Sequence, residues 1–178
     1  MEEQKPSVFK SSLNYGFIAL GVSILYTLLL YSIGQLESKG LGFINYIFLI
    51  AIMVFCVKDY RDKKSRGFIS IGTAFQSAFY VGLIAAVLGS IFTFLFFTYF
   101  YPDFFTQIMS KAEEQMRESN PNLTDEQVEM GLKMAQKFTQ PWTMALTGIV
   151  VGTAVSALLS IIIAAIMKKE DNSFNNVA

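Results

Sequence analysis

The sequence predicts an all-α polytopic membrane protein with four transmembrane helices and an extracytoplasmic helical hairpin between the third and the fourth. Three observations carry this prediction. Of 178 residues 53% are hydrophobic and 16% charged, whereas roughly a quarter are charged in ordinary soluble domains. Four uncharged apolar runs, residues 15–33, 41–57, 74–101 and 142–167, lie near or above the ~20 residues a helix needs to cross a ~30 Å hydrocarbon core. The last two runs carry a small residue at every fourth place: Ala74, Ala78, Gly82, Ala86 and Ser90 in the third, and Gly148, Gly152, Ser156, Ser160 and Ala164 in the fourth. Such spacing draws one smooth stripe along a helix, where a second backbone can come close.

Taken in order, residues 1–14 are polar and read as a cytoplasmic tail, with Pro6 and Ser7 opposing an early helix. Residues 15–33 form the first span, too long for the apolar core of a signal peptide. A short polar turn with Glu37 and Lys39 returns the chain into the second span, 41–57, whose one strongly polar residue is Asn45. Residues 58–73 then form a basic loop, with Lys58, Arg61, Lys63, Lys64 and Arg66 as charges facing the lipid surface. Nine of the 14 Lys and Arg fall in this loop and the two tails, so the positive-inside bias sets all three in the cytoplasm.

The third span, 74–101, is longer than the hydrocarbon requires, and its second half is dense in rings from Phe92 to Tyr101. Those rings are expected to serve as lipid-facing and interfacial bulk. Residues 102–141 are the one sizeable polar insert. Phe105, Ile108, Met109, Ala112 and Met116 keep helical spacing in its first half, and Val128, Leu132, Ala135 and Phe138 in its second. Asn120 to Asn122 break the two apart, and Thr124 with Gln127 spells a capping box. Seven acids against four bases leave the insert net negative. Pro141 suits a first helical turn and Trp142 an interfacial anchor for the fourth span, 142–167, before a cytoplasmic tail, 168–178.

The helix-packing residues are Ala78, Gly82, Ala86 and Ser90 against Gly148, Gly152, Ser156 and Ser160. Counting ~1.5 Å per residue from an entry at 74–79 and an exit at Met167 sets Ser156 opposite residues 86–90 and Ser160 opposite residues 82–86. The same count brings Gly152 near Ser90 or one turn beyond, with a tolerance of about one turn for tilt of the long third span. A second copy of the chain is the other surface that would suit the ladder, giving a homo-oligomer.

The chemistry missing from the spans narrows function. None of the four contains Asp, Glu, Lys, Arg or His, the groups on which proton-coupled transport and voltage sensing depend. The chain has no histidine and a single cysteine, Cys56, so no metal site, cofactor or catalytic residue is expected. Cys56 reads as a small buried apolar residue. Zero net charge without a basic stripe gives no sign of nucleic acid.

The residues Lys58, Tyr60 and Arg61, the run from Gly67 to Phe75, Tyr15 and Gly16, Tyr99, Pro102 and Asp103, and the closing run from Ala164 to Lys169 form a recognisable set. In these the chain resembles the bacterial membrane proteins grouped as domain-of-unknown-function family 4199. The resemblance implies a four-span bacterial inner-membrane protein and brings no activity or site residue with it. The expected role is a non-enzymatic accessory or scaffold protein of the inner membrane. Its contacts are membrane lipid and a protein partner at the external hairpin. The alternative is a small oligomeric channel or carrier lined by hydroxyls of Ser and Thr.

Overall fold

A computed structural model describes residues 7–169; the remaining parts of both expected tails lie outside the described residues. These fold into six α-helices, α1 (Val8–Ser32), α2 (Lys39–Lys64), α3 (Ile71–Leu95), α4 (Phe104–Ser119), α5 (Asp125–Thr139) and α6 (Pro141–Met167), with a π-helical turn, Phe96–Phe100, closing α3. Four helical stretches, Val8–Ser32, Gly40–Lys64, Ile71–Phe100 and Pro141–Met167, are long and apolar enough to cross a membrane. The chain is a multi-pass membrane protein. It divides into two compact units, one running to Gly89 and resuming at Val150, the other comprising Ser90–Ile149.

In the first unit α1 and α2 form an antiparallel pair. The turn between them needs a left-handed residue, supplied by Gly34 at φ 67°, and Gln35 N–H closes it on Leu30 O at 2.9 Å. Asn45 is not left to water: its Oδ1 accepts from Ser23 Oγ at 3.0 Å, and Tyr26 donates to Leu41 O at 2.8 Å. Within lipid such bonds are worth about 0.6 kcal/mol each, enough to fix a rotation where apolar packing alone is permissive. The core of this unit holds Ala19, Met53, Cys56, Val57, Ala74, Ala78, Val81, Ile163 and Ala164. α1 meets α3 closely at Gly16, where a Cβ would stand 2.7 Å from Ile84.

Several boundaries differ from the sequence reading. α1 starts at Val8 rather than 15, because Ser12 and Gly16 are buried and draw the first turns in among the other helices. α2 continues to Lys64, so much of the expected loop is helical. Alternating charges favour this, with Lys63 pairing to Asp59 one turn back at 2.5 Å. α2 ends where Arg66 and Gly67 both take positive φ, 53° and 86°. The chain then runs extended, and Ile69 exchanges backbone hydrogen bonds with Lys169, at 2.8 and 3.0 Å. This two-residue clasp lies within the segment expected as a loop, 58–73, and α3 begins at Ile71 rather than 74.

In the second unit α4 and α5 form a self-packed hairpin. The capping box is present, with Gln127 N–H bonding Thr124 Oγ1 and Thr124 N–H bonding Gln127 Oε1. Val128 is buried, and Gly131 leaves room for the Met116 side chain. Arg117 joins the two helices, reaching Glu113 at 3.0 Å and Asp125 at 3.1 Å. Hydrogen bonds to those two carboxylates hold its guanidinium above the ordinary value, Asp125 contributing most. Phe138 departs from its expected face and is 69% exposed. Ten residues beyond Val128, the helical phase has drifted about 80°.

The ring-rich end of α3 also differs from expectation. Tyr99 and Phe100 are exposed, but Phe96 is buried, and Phe97 stacks on Phe104 of α4 at 4.2 Å between centroids. Phe104 also contacts Tyr101 and Phe105. These rings form the footing of the hairpin, because aromatic pairs gain from edge and offset contacts that lipid chains do not replace. Phe104→Ala should therefore loosen α4 by about 3 kcal/mol, read as faster amide exchange along α4 in nanodiscs. Phe100→Ala, at an exposed ring, should change exchange by only about 0.5 kcal/mol. Equal effects would deny the cluster this role.

Candidate functional site

Three groups of residues carry the chain's specific contacts. The first is the ladder between α3 and α6. A Cβ on Gly82 would overlap the Ser156 side chain, and one on Gly152 would stand 3.0 Å from Ala86 Cβ. In the second unit a Cβ on Gly148 would stand 2.8 Å from Ser90 Oγ. Each step of one turn along α3 is one turn back along α6. The same count carried the other way brings Ala78 level with Ser160 and Ala74 level with Ala164, all four buried, and then Ile69 level with Lys169, the residues of the clasp.

The pairing therefore uses the small residues singled out from sequence, but one turn away from the expected register. Ser156 meets Gly82 rather than residues 86–90, Gly152 meets Ala86 rather than Ser90, and Ser160 falls at Ala78 rather than residues 82–86. The physical reason is the clasp. Ile69, paired as a strand, sets the level of the end of α6, where the depth count had assumed an entry at 74–79.

The second group is a buried polar knot among α1, α2 and α3. Ser12 Oγ lies 3.0 Å from both Val8 O and Ser77 O, and Cys56 Sγ lies 3.6 Å from Ser12 Oγ and 3.7 Å from Ser77 O. Ser77 Oγ bonds Thr73 O at 2.9 Å. Every hydroxyl of the knot is spent on a carbonyl of a helix. Sequence reasoning missed this group because its three members sit in separate segments, each unremarkable alone. Toward the basic end the knot opens onto exposed charges. Lys64 Nζ reaches Ser11 Oγ at 2.6 Å, Arg61 pairs with Asp62 at 2.8 Å, and Lys58 and Arg66 are exposed. Lys169 lies over the Phe68 ring at 5.8 Å.

The third group is the base of the hairpin. Phe105, Thr106 and Met109 of α4 face Gln136, Thr139, Gln140 and Pro141 across a groove of about 360 Å³. Trp142 is 55% exposed, and its Nε1 donates to Gln140 Oε1 at 2.5 Å. Among the described residues no group of three or more His, Cys, Asp or Glu is placed to hold a metal ion.

The ladder can be tested directly. Gly82→Ala forces a methyl into Ser156 and should cost about 1–3 kcal/mol, whereas Val150→Leu, on an exposed side of α6, should cost less than about 0.5 kcal/mol. With Cys56→Ser as background, Ala86→Cys and Gly152→Cys should crosslink within one chain, since their Cβ positions, 3.0 Å apart, need to separate by only about 0.5 Å to reach disulfide geometry. Crosslinks found only between chains would assign the ladder to a homodimer.

Residues 14–169 match the model of a family described as protein of unknown function (DUF4199). No curated protein and no solved structure matches the chain.

Proposed function

The chain belongs to the DUF4199 family, and we propose that it is a non-enzymatic accessory or scaffold protein of the bacterial inner membrane, holding an acidic helical hairpin against a protein partner. The charge bias favours cytoplasmic termini, a cytoplasmic basic end and an extracytoplasmic hairpin. The observation that carries the reading is the self-sufficiency of the hairpin. It has its own buried contacts at Val128 and Gly131, its own capping box and its own cross-helix ion pair at Arg117. Rigidity obtained this way leaves its acids available. Glu114, Glu118 and Glu126 are exposed, and a partner with a basic surface is the complement they suit.

A channel or carrier is the weaker reading. Its path would need hydroxyls turned to water, whereas Ser12, Ser77, Ser156 and Ser160 are buried, and Ser12, Ser77 and Ser160 each donate to a helix carbonyl. Affinity purification from native membrane is the test. The intact chain should retain a partner that Glu114→Lys, Glu118→Lys and Glu126→Lys together release, with membrane insertion unchanged. Retention of the same partner after triple charge reversal would overturn the role of the acidic face. Solute flux into proteoliposomes by the purified chain would favour the carrier.

A further inference from the structure

Packing within the hairpin leaves one apolar surface uncovered. Val128, Leu132 and Ala135 of α5 are buried or half-buried. Met130, Met134 and Phe138 instead turn outward and are 66%, 68% and 69% exposed. They recur at every fourth residue, so they lie along one stripe of the helix. No large apolar residue of α4 is exposed to a comparable degree. The stripe is therefore a property of one side of the hairpin.

What covers it follows from what lies at its end. Gln140 alone separates α5 from α6, and three residues of chain reach at most about 10 Å. Phe138 is thereby held near the first turn of a membrane-crossing helix. The same second unit continues with Trp142 and Leu146, each 55% exposed on that helix. The exposed apolar side chains of a spanning helix have lipid around them, and the stripe of α5 ends at Phe138, four residues before Trp142. The other arm of the hairpin is tethered too, since α4 starts shortly after the turn Phe96–Phe100 and stacks on it through Phe104 and Phe97.

The polar residues around α5 are arranged to match. At about 100° per residue, Glu129 lies about 180° from Phe138, and Lys133 and Lys137 fall between Glu129 and the stripe. Lysines at such a border can lay their stems along an apolar surface and raise the ammonium to water. Lys133 pairs with Glu129 at 2.7 Å and holds its carboxyl below the usual range, on the side away from Phe138.

We propose that α5 lies on the bilayer surface, with Met130, Met134 and Phe138 inserted at the boundary of headgroups and acyl chains and Glu129 facing water. The expected depth is about 5–10 Å below the headgroups, as for interfacial amphipathic helices. The bilayer is the occupant because two tethers bring it to the stripe in every copy of the chain, with no second protein needed. The inference uses the side of the hairpin opposite Glu129 and stands whether or not an acidic-face partner exists.

The test uses the full chain, with Cys56→Ser, in phosphatidylcholine and phosphatidylglycerol nanodiscs. Single thiols introduced by Met134→Cys, Phe138→Cys and Glu129→Cys carry an environment-sensitive fluorophore. Shallow spin-labelled lipid should quench the probes at 134 and 138 several-fold more than the probe at 129, and aqueous iodide should show the reverse order. A second reporter needs no thiol: Met134→Trp in a Trp142→Phe chain should be quenched by brominated lipid. Iodide quenching as strong at 134 and 138 as at 129 would overturn the proposal. Protection from both quenchers would do so as well, since it would mean that protein, such as a second copy, covers the stripe.

Discussion

Inside a bilayer an apolar side chain gains almost nothing by leaving lipid for another side chain, so helices must be held by contacts that lipid cannot imitate. The close approach of α3 and α6 is the contact on which the rest of this structure depends. Gly82 against Ser156 and Gly152 against Ala86 let two backbones come near enough for dispersion and Cα–H contacts to accumulate along several turns. Because the small residues recur at four rather than 3.6, the stripe drifts slowly around each helix, and the partner helix must follow it. Each rung then constrains the next.

A ladder of nearly equivalent rungs has a weakness: sliding by one turn restores most of its contacts. The clasp between Ile69 and Lys169 removes that freedom, since two backbone hydrogen bonds at 2.8 and 3.0 Å can form in one register only. The left-handed residues Arg66 and Gly67 aim the chain into the clasp, and buried Ile69 seals it against the core. On the other side of α3 the Ser12, Cys56 and Ser77 knot fixes rotation rather than register, because each hydroxyl must find a carbonyl in surroundings without water.

The parts legible in the sequence are those written as long periodic patterns. Four uncharged runs, two ladders at every fourth residue and a capping box at Thr124 all state their structure locally. What was not legible depends on contacts between distant segments. The knot joins three residues that no local pattern marks. The register differed from the depth count by one turn because the clasp pairs two residues 100 positions apart. Phe138 left its expected face because an i+3 and i+4 pattern followed over ten residues accumulates phase error, and Phe96 and Phe97 turned inward because ring contacts supply what lipid chains do not.

The same reasoning separates the chain's two surfaces. Several polar groups of the spans are spent on helix partners: Ser23 on Asn45, Ser12 on Ser77 and Ser160 on Ser156 one turn back. The hairpin treats its polar groups differently. It closes on itself with one buried valine, one glycine and one arginine bridge, and so keeps two unlike sides open, Met134 and Phe138 on one and Glu129 on the other. An element so attached at both ends cannot turn freely in water. Whichever side meets the bilayer decides which side meets anything else, and an apolar stripe that ends four residues before Trp142 meets it at the least cost in exposed surface. The acidic side is then directed away from the membrane by the stripe beneath it, without any contact dedicated to orienting it.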